Sequence, residues 1–312
     1  MIKVDLITGF LGSGKTTFLK EYASHFINKG LKIGILENDY GAVNVDMLML
    51  NSLRSDNCEL EMVAGGCDAD CHKRRFKSKL ISMGMSGYDR VIIEPSGIFD
   101  VDELFDVLEE DPVDRWYEIG NIITIVDCGI DENMSEEARF FLASQTAVAG
   151  LIIFSKTQLY PIDNIAKVKN IISEACAEFK VHSYGKNVDY LEKSYSDFTL
   201  DDWNVIENSG YRNYSCIKVI AGRENDFKTL YFLESGLTLN KLKEVINKLY
   251  EAPDVGNIIR IKGYIIEDGK WFEINATRNE CVVNEVEIGQ EVFIVIGEKL
   301  LKDKIQNIIE NL

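Results

Sequence analysis

Residues 9–16 read G-F-L-G-S-G-K-T, directly after the apolar run 4–7 and before a stretch of helical character. The G-x-x-x-x-G-K-[ST] spacing admits few architectures, because a strand must deliver a loop of inward-pointing backbone amides to the first turn of a helix. Gly9, Gly12 and Gly14, with Ser13 among them, let the loop wrap a polyphosphate closely. In such a loop Lys15 reaches the β- and γ-phosphates and Thr16 offers its hydroxyl to Mg²⁺. Thr17 continues the helix, whose positive end faces the anion. The chain is expected to bind a nucleoside triphosphate.

The order of elements fits that start. Short Ile- and Val-rich runs at 3–8, 32–37, 90–94, 122–127 and 151–155, with a weaker one at 180–183, alternate with helical stretches at 16–28, 73–83, 101–108, 136–149 and 163–179. This is an α/β layout, a mostly parallel sheet flanked by helices in the manner of a P-loop NTPase. Residues 185–213 are polar and turn-rich, so the domains are placed at 1–190 and 213–312 with a linker over 191–212. The second part reads as a smaller α+β domain. Its strands are expected at 215–220, 257–266, 270–276, 280–286 and 290–296, its helices at 239–250 and 300–309, and Asp268-Gly269 marks a tight hairpin.

The 312 residues carry a formal charge of −17, which argues against a nucleic-acid partner. No apolar run approaches the ~20 residues of a membrane helix, and no signal-peptide pattern precedes the first strand. The seven cysteines are mostly isolated within apolar elements, as expected of a cytoplasmic protein without a disulfide framework.

Three segments complete the expected site. The run V-I-I-E-P-S-G at 91–97 places Glu94 at the carboxyl end of a central strand, where it can hold Mg²⁺ directly or through water, and Gly97 is placed to donate its amide to the γ-phosphate. E-N-D-Y-G at 37–41 opens onto the same edge. Glu37 and Asp39 there are candidates to coordinate Mg²⁺, orient water or contact a second metal, with Asp46 a weaker candidate. G-G-C-D-A-D-C-H at 65–72 gathers Cys67, Cys71 and His72 with two carboxylates. That donor set suits a transition metal, although Asp68 or Asp70 would equally serve as a helix cap. The basic run Lys73-Arg74-Arg75, with Lys77 and Lys79, reads either as a solvated helix face or as a docking patch for an acidic partner.

Together, G-F-L-G-S-G-K-T, E-N-D-Y-G, the G-G-C segment, E-P-S-G and Val126-Asp127 resemble the CobW-like GTPases, relatives of the nickel-insertion GTPases of urease and hydrogenase. R-I-K-G at 260–263 and the terminal strand and helix are similar to the C-terminal domain of the CobW branch. Two departures stand out. The family's C-x-C-C becomes C-D-A-D-C-H, which shifts the ligands toward harder donors. The base-reading N-K-x-D becomes Ser155-Lys156-Thr157-Gln158: Lys156 still lies along the base, but Gln158 offers one neutral acceptor in place of a carboxylate.

The resemblance implies slow hydrolysis of GTP, with ATP left open by Gln158, coupled to delivery of a transition metal such as Zn²⁺ or Co²⁺, or to metallocofactor placement. The recipient would be a client metalloprotein or cofactor-handling protein. Hydrolysis would rest on Lys15, Thr16, Glu37, Asp39, Glu94 and Gly97, and no side chain reads as an arginine finger. Activation by the client or by a homodimer mate is therefore expected. The alternatives are a non-hydrolysing nucleotide-dependent binding module, a divergent ATP-using switch and a small-molecule kinase, the last lacking an evident lid.

Overall fold

The computed structural model describes residues 1–39, 45–64, 69–99, 101–181, 188–212, 227–233 and 235–311, in two units, Met1–Val219 and Ile220–Leu312. The first runs through β1 (Ile2–Thr8), α1 (Lys15–Asn28), β2 (Ile33–Asp39), α2 (Val45–Leu50), β3 (Cys58–Ala64), α3 (Ala69–Gly84) and β4 (Arg90–Pro95). It continues through α4 (Val101–Leu108), β5 (Tyr117–Asp127), α5 (Glu136–Ala147), β6 (Leu151–Ser155), α6 (Asp163–Glu178), β7 (Asp189–Leu191) and α7 (Leu200–Glu207). The seven strands lie in the order β3-β2-β4-β1-β5-β6-β7, every neighbouring pair parallel. Their carboxyl ends share one edge, where the motif loops open.

Strands covered on both faces explain the unbroken apolar runs. Val4, Leu6, Leu36, Val91 and Ile93 cluster with Phe76 and Leu80 of α3 and Leu104 of α4. Their alternating neighbours Ile7, Ile35, Ile92 and Ile123 cluster with Phe18, Leu19 and Tyr22 of α1. Each such buried side chain contributes about 1.5–3 kcal/mol, so these two layers fix the strands in place.

Asp5 also points to the α1 side and is fully buried. Arg90 pairs with it, the Tyr22 hydroxyl donates to it at 2.9 Å, and the Asn121 backbone N–H donates at 2.7 Å. Burial raises its carboxyl above the ordinary value while Arg90 opposes the rise. Asn121 carries the network outward, its Nδ2 donating to the Glu207 carbonyl at 3.0 Å and its Oδ1 accepting from Gly210 N–H at 2.9 Å.

That network bears on the expected linker, because 191–212 is folded onto α1. The Thr199 hydroxyl and the Asp202 carboxylate form a reciprocal capping box that starts α7. Trp203 stacks on His25 of α1 with ring centroids 4.2 Å apart, Tyr195 meets Phe18 edge-on at 5.5 Å, and Ile206 is buried. The strand expected at 180–183 is also displaced. Lys180 has φ 58° and donates to Ala177 O at 3.2 Å, while Val181 N–H donates to Cys176 O at 2.8 Å, so these residues close α6 as a left-handed cap. Residues 182–187 lie outside the described residues, and β7 pairs with β6 further on. β3 was not expected: its C-E-L-E-M-V-A alternates apolar and charged residues, the pattern of an edge strand rather than a central one.

The second unit contains β8 (Phe227–Leu233), α8 (Leu239–Glu251), β9 (Asn257–Glu267), β10 (Lys270–Thr277), β11 (Glu280–Val286), β12 (Val292–Glu298) and α9 (Lys302–Glu310). Its antiparallel sheet runs β11-β10-β9-β12-β8. Phe293, Val295, Ile261 and Ile274 pack with Leu242 and Ile246 of α8 and Ile305 of α9. Asp268 and Gly269, at φ 51° and 77°, turn β9 into β10 as their sequence requires. The strand expected at 215–220 lies outside the described residues, and β8 follows it.

Candidate nucleotide site

The loop after β1 has the geometry its glycines predict. Gly12 and Gly14 have φ of 75° and 91°, and a Cβ on Gly9 would stand 2.2 Å from the Ile125 carbonyl of β5. Gly14 caps α1 without a side-chain hydrogen bond, and the first turn of α1 carries no acidic residue, so its amides are kept for an anion. Lys15 is buried and its Nζ donates to the Gly9 carbonyl at 3.0 Å. Ser13 Oγ is buried without a hydrogen-bond partner among the described residues, and Thr17 is exposed.

Thr16 and Glu94, each read from the sequence as a candidate for Mg²⁺, lie side by side. Thr16 Oγ1 donates to Glu94 Oε1 at 2.7 Å, both side chains being buried. Glu37 stands in register with Glu94 on the adjacent strand and is also buried. Two carboxylates and a hydroxyl near the amino end of α1 form a hard oxygen donor set of the kind that fits Mg²⁺. Asp39 ends β2 beside them. Its side chain and that of Asp46 lie outside what the structure describes.

Gly97 approaches the phosphate loop so closely that a Cβ there would be 2.6 Å from Leu11 N. Its carbonyl accepts from Gln145 Nε2 of α5 at 3.0 Å, and the preceding Ser96 N–H donates to the Asn38 carbonyl at 2.9 Å. Gln145, fully buried, is a participant that no sequence signal announced.

On the other side of the loop, Lys156 has φ 56°, and its Nζ lies 2.9 Å from Asp127 Oδ2. Asp127 Oδ1 accepts from Gly129 N–H at 2.7 Å. Gln158 is exposed on the 3₁₀ turn Thr157–Leu159. A Cβ on Gly14 would meet Ser155 and the Tyr195 hydroxyl at 3.7 Å, which puts Tyr195 beside the phosphate loop. Burial pushes that phenol well above its ordinary pKa, so it stays protonated.

The cysteine segment is divided. Cys67 and Asp68 lie outside the described residues, as does the side chain of Asp70. Cys71 and His72 are consecutive in α3 and so project about 100° apart. Cys71 is partly exposed, whereas His72 is fully buried with its Nε2 on Asn38 Oδ1 at 2.7 Å. Among the described residues no three His, Cys, Asp or Glu side chains converge on a metal-sized point.

A parallel sheet with a glycine loop feeding α1, and a Thr–Glu pair at its mouth, defines a P-loop nucleotide-binding domain. The model of the CobW/HypB/UreG nucleotide-binding domain matches residues 3–183, and the chain belongs to that family. The chain is 26% identical over 284 residues to the zinc chaperone YjiA of Escherichia coli (strain K12), covering 86% of this chain and 83% of that one. It is 22% identical over 298 residues to the zinc chaperone CobW of Sinorhizobium sp, covering 86% and 82%. It is 24% identical over 234 residues to zinc-regulated GTPase metalloprotein activator 1 of Schizosaccharomyces pombe, covering 72% of this chain and 54% of that one. The crystal structure of Zn(II)-bound YjiA GTPase from E. coli aligns with 100% of this chain and 98% of that chain, at 19% identity and a TM-score of 0.39.

Proposed function

We propose that this protein binds a nucleoside triphosphate with Mg²⁺, GTP by kinship, hydrolyses it slowly, and couples the cycle to delivering zinc or a similar transition metal to a client metalloprotein. The observation that carries the nucleotide half is the buried Thr16–Glu94 hydrogen bond at 2.7 Å with Glu37 in register beside it. When bound there, Mg²⁺ would neutralise charge on the β- and γ-phosphates. The chain's own groups would do the rest. Lys15 would exchange the Gly9 carbonyl for phosphate oxygens, Gly97 would offer its N–H to the γ-phosphate, and Glu37 or Asp39 would orient water.

The metal half is supported by the kinship with proteins named zinc chaperones and by the thiol of Cys71 on α3. A client or a second copy of the chain would speed turnover. Among the described residues, Cys58, Cys71, Cys128, Cys176 and Cys281 form no disulfide, which suits a reducing, cytoplasmic setting. A second reading, an ATP-using switch, draws on the exposed, neutral Gln158 in the base-reading turn.

The test is calorimetric titration of GTP and ATP analogues at constant Mg²⁺, with and without Zn²⁺, alongside Lys15→Ala and phosphate-release assays. Preference for GTP, altered affinity with Zn²⁺ and loss of both binding and release in Lys15→Ala support the proposal. No base preference and no effect of Zn²⁺ would leave only a nucleotide switch.

A further inference from the structure

The run E-P-S-G-I-F at 94–99 leaves β4 through a tight turn. Phe99 N–H donates to the Ser96 carbonyl at 3.0 Å and closes it, which makes Gly97 and Ile98 its two central residues. The peptide between them makes no bond within such a turn, so its carbonyl, that of Gly97, needs a partner from elsewhere. α5 supplies one: Gln145 Nε2 donates to it at 3.0 Å from a fully buried side chain. The α-carbon of the same glycine is pressed against the phosphate loop, where a Cβ would stand 2.6 Å from Leu11 N. Gly97 thus meets the loop through its α-carbon and α5 through its carbonyl.

α5 is itself fastened at that point. The Thr124 hydroxyl of β5 donates to the main-chain carbonyl of Gln145 at 2.7 Å, so this residue is tied to the sheet by its backbone and to the turn by its side chain. A second observation sets the amide apart from ordinary packing. Gln145 Oε1 is buried with no hydrogen-bond partner among the described residues. An apolar side chain of similar volume, such as Met, would fill the space without stranding an acceptor and would lose the bond to Gly97. The amide therefore costs stability at this position, and the grip on Gly97 is what it supplies.

We infer that Gln145 is a positioning residue for the γ-phosphate: by holding the Gly97 carbonyl it fixes the turn so that the Gly97 N–H is aimed before a nucleotide arrives. Gln145 touches no substrate and acts through Gly97. A donor set in place beforehand loses no freedom on binding, so its worth is felt where there is a γ-phosphate to receive it. A diphosphate, which lacks that group, is indifferent to the turn. The inference deepens the nucleotide-hydrolysis reading and rests on it for the contact between Gly97 and the γ-phosphate.

The experiment is calorimetric titration of the full chain with GDP and a non-hydrolysable GTP analogue at constant Mg²⁺, and with ADP and the matching ATP analogue in parallel. It reads the ratio of triphosphate to diphosphate affinity, which a general loosening of the fold leaves alone. Gln145→Met should lower that ratio about three- to tenfold, the scale of one hydrogen bond, by weakening triphosphate binding alone. Gln145→Glu, whose carboxylate repels the Gly97 carbonyl, should lower it at least as far. Thr124→Val loosens the anchor and keeps the amide, so its effect should be smaller and in the same direction. Thr146→Val removes a different buried bond on α5, from the Thr146 hydroxyl to the Leu142 carbonyl at 2.7 Å, and should keep the parent ratio. An unchanged ratio in Gln145→Met, a parallel loss of both ligands, or an equal effect of Thr146→Val would overturn the inference and leave nucleotide binding by the parent chain standing. A parent chain that binds triphosphate and diphosphate alike would remove the γ-phosphate contact and the inference with it, and one that binds neither would overturn the proposed function as well.

Discussion

His72 and Asn38 join the first turn of α3 to the end of β2: the Nε2–H of the imidazole donates to Asn38 Oδ1 at 2.7 Å, with both residues fully buried. The Asn38 carbonyl in turn accepts from Ser96, the residue before Gly97. The helix that follows the cysteine segment is therefore tied to the strand and turn that flank the phosphate loop. Removing one partner leaves a buried polar group unsatisfied, at a cost of about 1–3 kcal/mol. His72→Ala should lower the urea midpoint of the protein accordingly, and Asn38→Ala should do much the same. Midpoints that do not move would show that the pair holds nothing together.

Gly97 has no room for a side chain. A Cβ would stand 2.6 Å from Leu11 N and 2.9 Å from Leu11 Cα, both backbone atoms of the phosphate loop. In Gly97→Ala either the loop or the turn must shift, and overpacking of this kind costs about 1–3 kcal/mol. Nucleotide affinity measured by calorimetry should fall by about fivefold or more, with secondary structure unchanged by circular dichroism. Parent-like affinity would remove Gly97 from the site.

Gln158 lies on the exposed turn after Lys156, and Lys156 already lies 2.9 Å from Asp127. Replacing a neutral acceptor with a carboxylate gives guanine a bidentate, charge-assisted partner, worth ~1–3 kcal/mol of discrimination. Gln158→Asp should widen the ratio of GTP to ATP affinity by about five- to 150-fold in parallel titrations. A ratio that stays put would mean the base is read elsewhere.

Asp202 anchors α7 and titrates far from the physiological range. Its bond from the Lys193 ammonium, reinforced by Thr199, lowers its carboxyl from the ordinary 3.8 to about 2. A value lowered in the folded state means that its stabilisation is complete above about pH 4 and is lost as pH falls through about 2. With the other two tryptophans replaced by Phe, Trp203 emission should report release from His25 across that window. In Asp202→Asn this part of the acid dependence should vanish, while Thr199→Ala should cost about 1 kcal/mol through the lost cap.

The parallel sheet was legible because strands buried on both faces leave unbroken Ile and Val runs, and the phosphate loop because its chemistry demands glycines at fixed spacing. Edge and anchoring elements were harder to read. β3 alternates Glu59 and Glu61 with Cys58 and Leu60, and α7 hides its start in Thr199-Leu200-Asp201-Asp202, a capping box amid polar residues. In the site, Thr16, Glu94 and Glu37 could be foreseen because parallel strands present their ends at one edge. Gln145 and Tyr195 could not, since nothing local marks a side chain whose partner lies tens of residues away. Cys71 and His72 looked like joint ligands by proximity in the chain, but helical rotation sends one to a groove and the other to the core.

The placement of Glu37 opposite Glu94 is a property of the β2–β4 ladder. Side chains alternate along a strand, so a slip of one residue would turn Glu37 to the face where Leu36 now packs and bring Leu36 to the mouth of the loop. Core and carboxylate pair would then fail together. The pair behaves as a register gauge: zipping β2 onto β4 and bringing Glu37 beside Glu94 are one event.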